Sequence, residues 1–274
     1  MQSVSARSLS VIVPARNESD TVARATRNLI DAVDGAEVVV VDDGSTDETF
    51  SVADSTVRTC DGGRVVRNVA SSQGKGASIR TGLQLVSRPL VVIQDADLEY
   101  NPSDLSAFLE QFHHRFGSIA SPLAVFGRRV SNSGSGRRVS DAGVRTLNHW
   151  VRFCGGVHTA DHATCYKMMP TRILRLLDIQ AAGFDWCGEV CVKLGRLATY
   201  LGGDLPGPAL VEVPVSYTPR TKAEGKKLRL WHGWPVARTI WRWRNWTPPG
   251  PREAIVAEVR RAFAEVQSAF SAER

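Results

Sequence analysis

Two stretches, AEVVVVDDGS at 36–45 and PLVVIQDAD at 89–97, set the strongest limit on how this chain can fold. Each is an unbroken aliphatic run that ends in closely spaced carboxylates. A strand with one face in water alternates apolar and polar residues. A run without alternation belongs to a strand covered on both faces, as in a parallel sheet between helical layers. LSVIVP (9–14), GRVVRN (63–68) and LAVFGRRV (123–130) read as three further strands. Helical patterns fall between them: from Glu18 to about Val33, after the Ser45-Thr46-Asp47 cap, over 75–87, and from the Asn101-Pro102-Ser103 turn to about Phe116. This rhythm predicts an α/β fold with a doubly wound, mostly parallel sheet and flanking helices.

In open α/β sheets, ligands bind beyond the carboxyl ends of the strands. Three of those ends are polar here: Pro14-Ala15-Arg16-Asn17-Glu18, Asp42-Asp43-Gly44-Ser45 and Asp95-Ala96-Asp97. Like charges this close repel unless a cation or a donor-rich partner joins them. The spacing of Asp95 and Asp97 suits Mg²⁺ or Mn²⁺, hard ions held by one or two carboxylates plus substrate phosphates. Such an ion stabilises charge building on a departing diphosphate. The dinucleotide fingerprint GxGxxG is absent after the first strand, and so is a Walker phosphate loop. Gln73-Gly74-Lys75-Gly76 precedes a helix. It offers N–H groups and Lys75 to a phosphate, or is a glycine turn with a surface lysine.

The second half is less regular. A loop at 131–136 leads to a helix from about Val139 to Cys154, then a strand or irregular segment over 161–169, a helix over 183–198 and a strand at 210–217. RTKAEGKK (220–227) is polar and basic, and TPPGP (247–251) breaks the chain before an amphipathic C-terminal helix. Five of the seven tryptophans fall between Trp231 and Trp246. On a helical wheel, Val236, Ala237, Ile240, Trp241 and Trp243 share a side and Arg238 and Arg242 face away. Such a helix can lie in a membrane interface, or pack its tryptophans on the rest of the protein. The expected division is a catalytic domain over 1–230 and a basic, Trp-rich segment with the last helix over 231–274.

The net charge of +6 over 274 residues is compatible with an anionic partner or with ordinary surface composition. The five cysteines form no CxxC pair, so a reduced, cytoplasmic protein is expected, with Cys187 and Cys191 as small buried residues. The N-terminal apolar run is too short for a signal peptide, and no stretch approaches the ~18 apolar residues of a membrane span. His158 and His162 flank Asp161, but strand alternation puts Asp161 on the other face, which disfavours a zinc site.

IVPARNE, VVVVDDGSTDET, QGKGASIRTG and QDADLEYNP, in this order, resemble the nucleotide-sugar glycosyltransferases of family 2, which have the GT-A fold. The resemblance is close over roughly 8–130 and looser to about 246. There GRR (127–129), DHATCYK (161–167), VEVPVSYTPR (211–220) and EGKK (224–227) look like the branch that makes polyprenyl-phosphate sugars. It implies that Pro14, Arg16 and Glu18 line a nucleotide pocket, with Asp42 and Asp43 toward base or ribose. Gly74, Lys75, Gln94, Asp95 and Ala96 would border the nucleotide-sugar, with Asp95 and Asp97 facing the metal. Arg129 would approach phosphate. Arg137, Arg138 and Ser140, with Lys226 and Lys227, would hold the acceptor's phosphate.

The expected activity is inverting transfer of a hexosyl group from a UDP- or GDP-sugar to a polyprenyl phosphate. A soluble enzyme acting on a hydroxyl of a saccharide or natural product is the alternative. Family members that act on hydroxyls often carry an adjacent acidic pair at the later helix. GFDWCGEV separates Asp185 from Glu189, which favours a phosphate acceptor and leaves Asp161 and Glu189 as orienting candidates. A nucleotidyltransferase would also use metal carboxylates but release pyrophosphate. A nucleic-acid-binding protein fits the charge but leaves the acidic strand ends unexplained. No nucleic acid partner is expected. A lipid-linked acceptor would require a peripheral seat on the cytoplasmic face of a membrane.

Overall fold

A computed structural model describes residues 6–58, 62–68, 72–113, 121–131, 138–205, 207–220 and 233–273. Strands β1 (Leu9–Ala15), β2 (Glu37–Asp42), β3 (Arg64–Arg67), β4 (Leu90–Ile93), β5 (Ala124–Ser131), β6 (Lys167–Pro170) and β7 (Leu210–Tyr217) form one sheet in the order β3-β2-β1-β4-β6-β5-β7. β1 pairs in parallel with β2 and β4, β2 with β3, and β5 with β7. Every residue of β2 and of β4 is buried, as their unbroken aliphatic runs demand. β3 lies at an edge and exposes Arg64 and Arg67 at its two ends, a charged edge of the kind that resists further pairing.

The first half follows the expected rhythm, with α1 (Val22–Ala32), α2 (Thr49–Val57), α3 (Lys75–Leu85) and α4 (Leu105–His113), the last entered through a 3₁₀ turn at Pro102–Asp104. α1 starts four residues later than the sequence suggests. Asn17 adopts a left-handed φ of 50°, and its Oδ1 accepts the Thr46 N–H at 2.9 Å, so the chain turns before the helix begins. β4 ends at Ile93, which puts Asp95 and Asp97 in the loop beyond the sheet.

β6 is the antiparallel member of a mostly parallel sheet. It runs antiparallel to both β4 and β5, so the sheet is mixed. Its four residues, KMMP, are too short to show a period, and the segment before them is irregular. The short helix α6 (Thr171–Leu177), absent from the sequence reading, follows at once.

Helices α5 (Arg138–Phe153), α7 (Trp186–Leu201), α8 (Gly233–Trp243) and α9 (Arg252–Ala272) complete the described chain. α7 is buried almost all round and includes Glu189 and Lys193. The helical wheel for α8 needs revision. Val236, Thr239 and Ile240 face inward, and an added Cβ at Gly188 of α7 would meet Ile240 Cγ1 at 2.9 Å. Trp241 turns outward and is 45% exposed. Ile255, Val259, Val266 and Phe270 of α9 join the same apolar cluster as the sheet.

Candidate active site

The strand order reverses direction between β1 and β4, and there the three acidic strand ends converge. Two turns are knitted together first. The Asp43 N–H donates to Ala15 O at 2.8 Å and the Glu18 N–H to Thr49 Oγ1 at 2.8 Å, which ties the turn after β1 to the one after β2. Thr21 Oγ1 reaches Glu18 Oε2 at 2.9 Å and Ala96 O at 3.0 Å, linking both to the turn after β4.

Arg220, just beyond β7, crosses this junction. Its Nη1 donates to Glu18 Oε2 at 2.9 Å, its Nη2 to Asp97 Oδ2 at 2.8 Å, and its own N–H to Glu99 Oε1 at 2.8 Å. Tyr217 O–H donates to Glu99 Oε2 at 2.9 Å. On the other side, Lys75 Nζ pairs with Asp95 and lies 3.8 Å from Cys165 Sγ. Among the described residues, four carboxylates (Glu18, Asp95, Asp97, Glu99) therefore meet the two cations Lys75 and Arg220, so the carboxylates are in excess. Burial, then the charges of Asp95 and Glu99, push Asp97 up to about 7. For Lys75, burial acts downward, but Asp95 outweighs it and holds the amine well above its ordinary range.

These residues fit a divalent ion. Carboxylates outnumber cations here, and the guanidinium of Arg220 already stands in for a cation against Asp97. Among the described residues no three His, Cys, Asp or Glu side chains are grouped to cage a metal. An ion completed by a substrate diphosphate needs no such cage.

Other sequence candidates have different surroundings. Asp42 is fully buried and accepts from Arg67 Nε at 2.9 Å. Asp43 accepts from Asn68 Nδ2, Ser72 Oγ and the N–H groups of Gln73 and Gly74, at 3.0, 2.7, 2.9 and 2.8 Å. Burial acts to raise its pKa, but these hydrogen bonds win and lower it. Asp43 thus anchors the glycine loop that presents Lys75. Gln94 is locked by Tyr166 O–H at 2.6 Å, Pro14 is half-buried in β1, and Arg16 is exposed. Arg129 forms a two-pronged pair with Asp161, both bonds 2.7 Å, beneath the Tyr217 ring. The Asp161 pKa rises with burial and falls with this pairing, and the pairing prevails. Arg138 and Ser140 fall in the first turn of α5. Arg137, Lys226 and Lys227 lie outside the described residues.

Sequence reasoning gave no role to Arg220, Glu99 or Tyr217. Glu99 continues the two-residue spacing of Asp95 and Asp97, and Arg220 follows directly on the last strand; these were the available signals.

Glu189 lies inside α7 with its carboxylate fully engaged. It is fully buried, accepts the N–H groups of Gln180 at 2.9 Å and Ala181 at 2.6 Å, and pairs with Lys193 Nζ at 2.6 Å. The loop it holds presses on the Lys75 loop. Ala182 O accepts the Ala77 N–H at 3.0 Å, and a Cβ at Gly76 would lie 2.2 Å from Ala181 O. Gly74, at φ 99°, has the same loop 2.6 Å from where its Cβ would be.

The family profile described as Glycosyl transferase family 2 matches residues 10–166, a span that holds all three acidic strand ends. The chain belongs to glycosyl transferase family 2. That makes it an enzyme, a glycosyltransferase of the hexosyltransferase class. It is 27% identical over 221 residues to the undecaprenyl-phosphate mannosyltransferase of Micrococcus luteus, covering 78% of this chain and 85% of that protein. It is 27% identical over 228 residues to the polyprenol monophosphomannose synthase of Mycolicibacterium smegmatis, covering 80% and 82%. Identity reaches 34% with the succinoglycan biosynthesis protein ExoU of Rhizobium meliloti, over 130 residues that cover 46% of this chain and 36% of ExoU. A solved structure of glucosyl-3-phosphoglycerate synthase from Mycobacterium tuberculosis, in complex with Mn²⁺, UDP and glucosyl-3-phosphoglycerate, superposes with a TM-score of 0.59 at 21% identity. The match covers 88% of this chain and 81% of that one. This likeness shows the fold, the GT-A arrangement expected from the sequence.

Proposed function

We propose that the enzyme transfers a hexosyl group from a UDP- or GDP-sugar to a polyprenyl phosphate, with inversion at the anomeric carbon. An acceptor phosphate oxygen bonds to that carbon, the bond from carbon to the donor diphosphate breaks, and a nucleoside diphosphate leaves. The observation that carries the reading is the self-paired carboxylate site at the β1/β4 reversal, in which Lys75 and Arg220 sit on the carboxylates of Asp95 and Asp97. Asp95 and Asp97 would hold Mg²⁺ or Mn²⁺, which supplies charge stabilisation at the departing diphosphate. Freed from their carboxylates, Lys75 and Arg220 have the reach and charge to grip the diphosphate oxygens. Pro14, Arg16, Glu18 and Asp42 would border the nucleotide, and Arg138 and Ser140 the acceptor. Residues 1–230 would act as the catalytic unit, with 231–274 as an extension seated on it.

A phosphate monoester has a second pKa of about 6, so it attacks as a dianion at neutral pH without a general base. This suits a site whose nearby acids are engaged: Glu189 with backbone amides, Asp161 with Arg129. The names of the two relatives matched along most of their length support a lipid-phosphate acceptor. The partial likeness to a succinoglycan biosynthesis protein supports the second reading, a saccharide hydroxyl acceptor.

The test is transfer of radiolabelled sugar from UDP- and GDP-sugars, with Mn²⁺, Mg²⁺ or EDTA, to a water-soluble short-chain prenyl phosphate. Metal-dependent formation of a labelled prenyl-phosphate sugar is expected. Transfer only to saccharide hydroxyls would reject the acceptor, and no metal-dependent donor use would reject the site.

A further inference from the structure

Trp150 of α5 has Phe153 at 5.4 Å and Trp241 of α8 at 5.5 Å between ring centres, each tilted by only 15°. The three rings form a stack that bridges two helices, tied by Trp150 Nε1 donating to Ala237 O at 3.1 Å. Trp150 packs against the edge of the core, while the rings beside it turn outward. Phe153 is 73% exposed, and Trp234 in the first turn of α8 is 76% exposed. The core-facing side of α8 is a different one, made by Val236 and Ile240 against α7. Trp243 likewise turns inward, with Lys193 Nζ 3.8 Å from its ring centre.

Among the described side chains of α5 and α8, the exposed charges near the stack have one sign. Arg145 and Arg152 of α5 and Arg238 and Arg242 of α8 are exposed, and Arg244 lies over the Trp241 ring at 3.9 Å. Residues 142–153 and 233–246 contain no Asp or Glu. A water-facing surface rarely combines large exposed rings with arginine alone. Indole and phenyl rings favour the boundary between lipid head groups and acyl chains, and arginine favours anionic head groups. The described helices include none long and apolar enough to cross a membrane, so contact here is parallel to the surface.

We infer that the face built from Trp150, Phe153, Trp234 and Trp241, ringed by arginines of α5 and α8, docks the enzyme on an anionic lipid bilayer. The inference rests on the lipid-linked acceptor proposed above and gives that reaction its location. It moves the contact from the whole Trp231–Trp246 segment to one two-helix face, and it assigns Trp243 and Trp246 to packing.

The full chain is sedimented with vesicles of phosphatidylcholine alone, or of phosphatidylcholine mixed with phosphatidylglycerol, at low and high salt. Binding is expected to the mixed vesicles and to weaken with salt. The triple variant Phe153→Ser, Trp234→Ser, Trp241→Ser removes exposed rings and leaves Trp150 and its hydrogen bond. Its vesicle binding should fall by about tenfold or more, with the native circular-dichroism spectrum retained. Wild type that ignores the mixed vesicles, or a triple variant that binds them as wild type does, overturns the inference. So does a face that drives self-association of the wild type without vesicle binding. The soluble prenyl phosphate assay separates the two readings. Transfer without vesicle binding removes only the docking face, and vesicle binding without transfer to any prenyl phosphate removes only the acceptor.

Discussion

Gly76 and Gly143 both lie in helices, and alanine at each should have opposite effects. Inside α5, an added Cβ at Gly143 meets nothing within 4 Å. Alanine there gains up to about 1 kcal/mol from its higher helix propensity. At Gly76 the same Cβ would lie 2.2 Å from Ala181 O and 3.0 Å from its carbonyl carbon. Ala181 has no easy retreat. Its N–H donates to Glu189 at 2.6 Å, and its O accepts from Arg80 Nη1 at 2.8 Å. Overpacking against fixed backbone costs about 1–3 kcal/mol. For a chain of this size each kcal/mol moves the melting temperature by about 2–4 °C. Gly76→Ala should therefore melt roughly 2–12 °C below wild type, and Gly143→Ala at or slightly above it. Because Gly76 adjoins Lys75, the destabilised variant should also bind nucleotide-sugar more weakly. Circular-dichroism melts of the three proteins decide the matter. A Gly76→Ala protein that melts no lower than Gly143→Ala would refute the close approach of the two loops.

Removing Glu189 leaves Lys193 buried without its carboxylate, so Glu189→Ala should lose about 3–5 kcal/mol in chemical denaturation, and Glu189→Gln less. Burial, then the Lys167 charge, depress His162 from its ordinary 6.5 to about 4. Its stabilising contribution is complete above pH 6.5 and is lost as pH falls toward 4. Between pH 7.5 and pH 5 the wild type should lose about 2 kcal/mol more than His162→Gln in urea titrations. With Asp97 raised to about 7, Mn²⁺ affinity measured with the nucleotide present should climb as pH rises from 6 to 8, and the climb should flatten in Asp97→Asn.

The sheet's first half was legible because β1, β2 and β4 are buried on both faces and must therefore be continuously apolar. Their acidic ends were legible for the same reason: polar groups abutting such runs mark the strand ends. β6 was not, since four residues carry no period and its direction depends on partners far along the chain. At the site, Asp95 and Asp97 declared themselves by spacing, but Arg220 did not. Its proximity to Asp97 spans 123 positions of sequence and depends on β7 running beside β5. The family resemblance directs Asp43 toward base or ribose, while its engagement with the Gly74 loop is a matter of three-dimensional arrangement that no motif shows. The wheel for α8 placed the right residues on a helix but could not tell which side α7 would cover.

If the proposed metal and diphosphate bind here, the pairing of Lys75 with Asp95 and of Arg220 with Asp97 makes the acidic pocket an exchange site and not an open one. A lone ion entering it must evict two cations that are already charge-matched and partly desolvated, and it offers them nothing in return. An ion arriving with a diphosphate presents oxygens that both displaced side chains can seize, so each eviction is compensated as it happens. Under the proposed reaction the resting charge pattern would thus work as a coincidence detector: metal and nucleotide would each be poorly received alone and well received together. Arg220 also holds Glu99 through its own backbone N–H, so the chain leaving the last strand stays moored while its guanidinium changes hands.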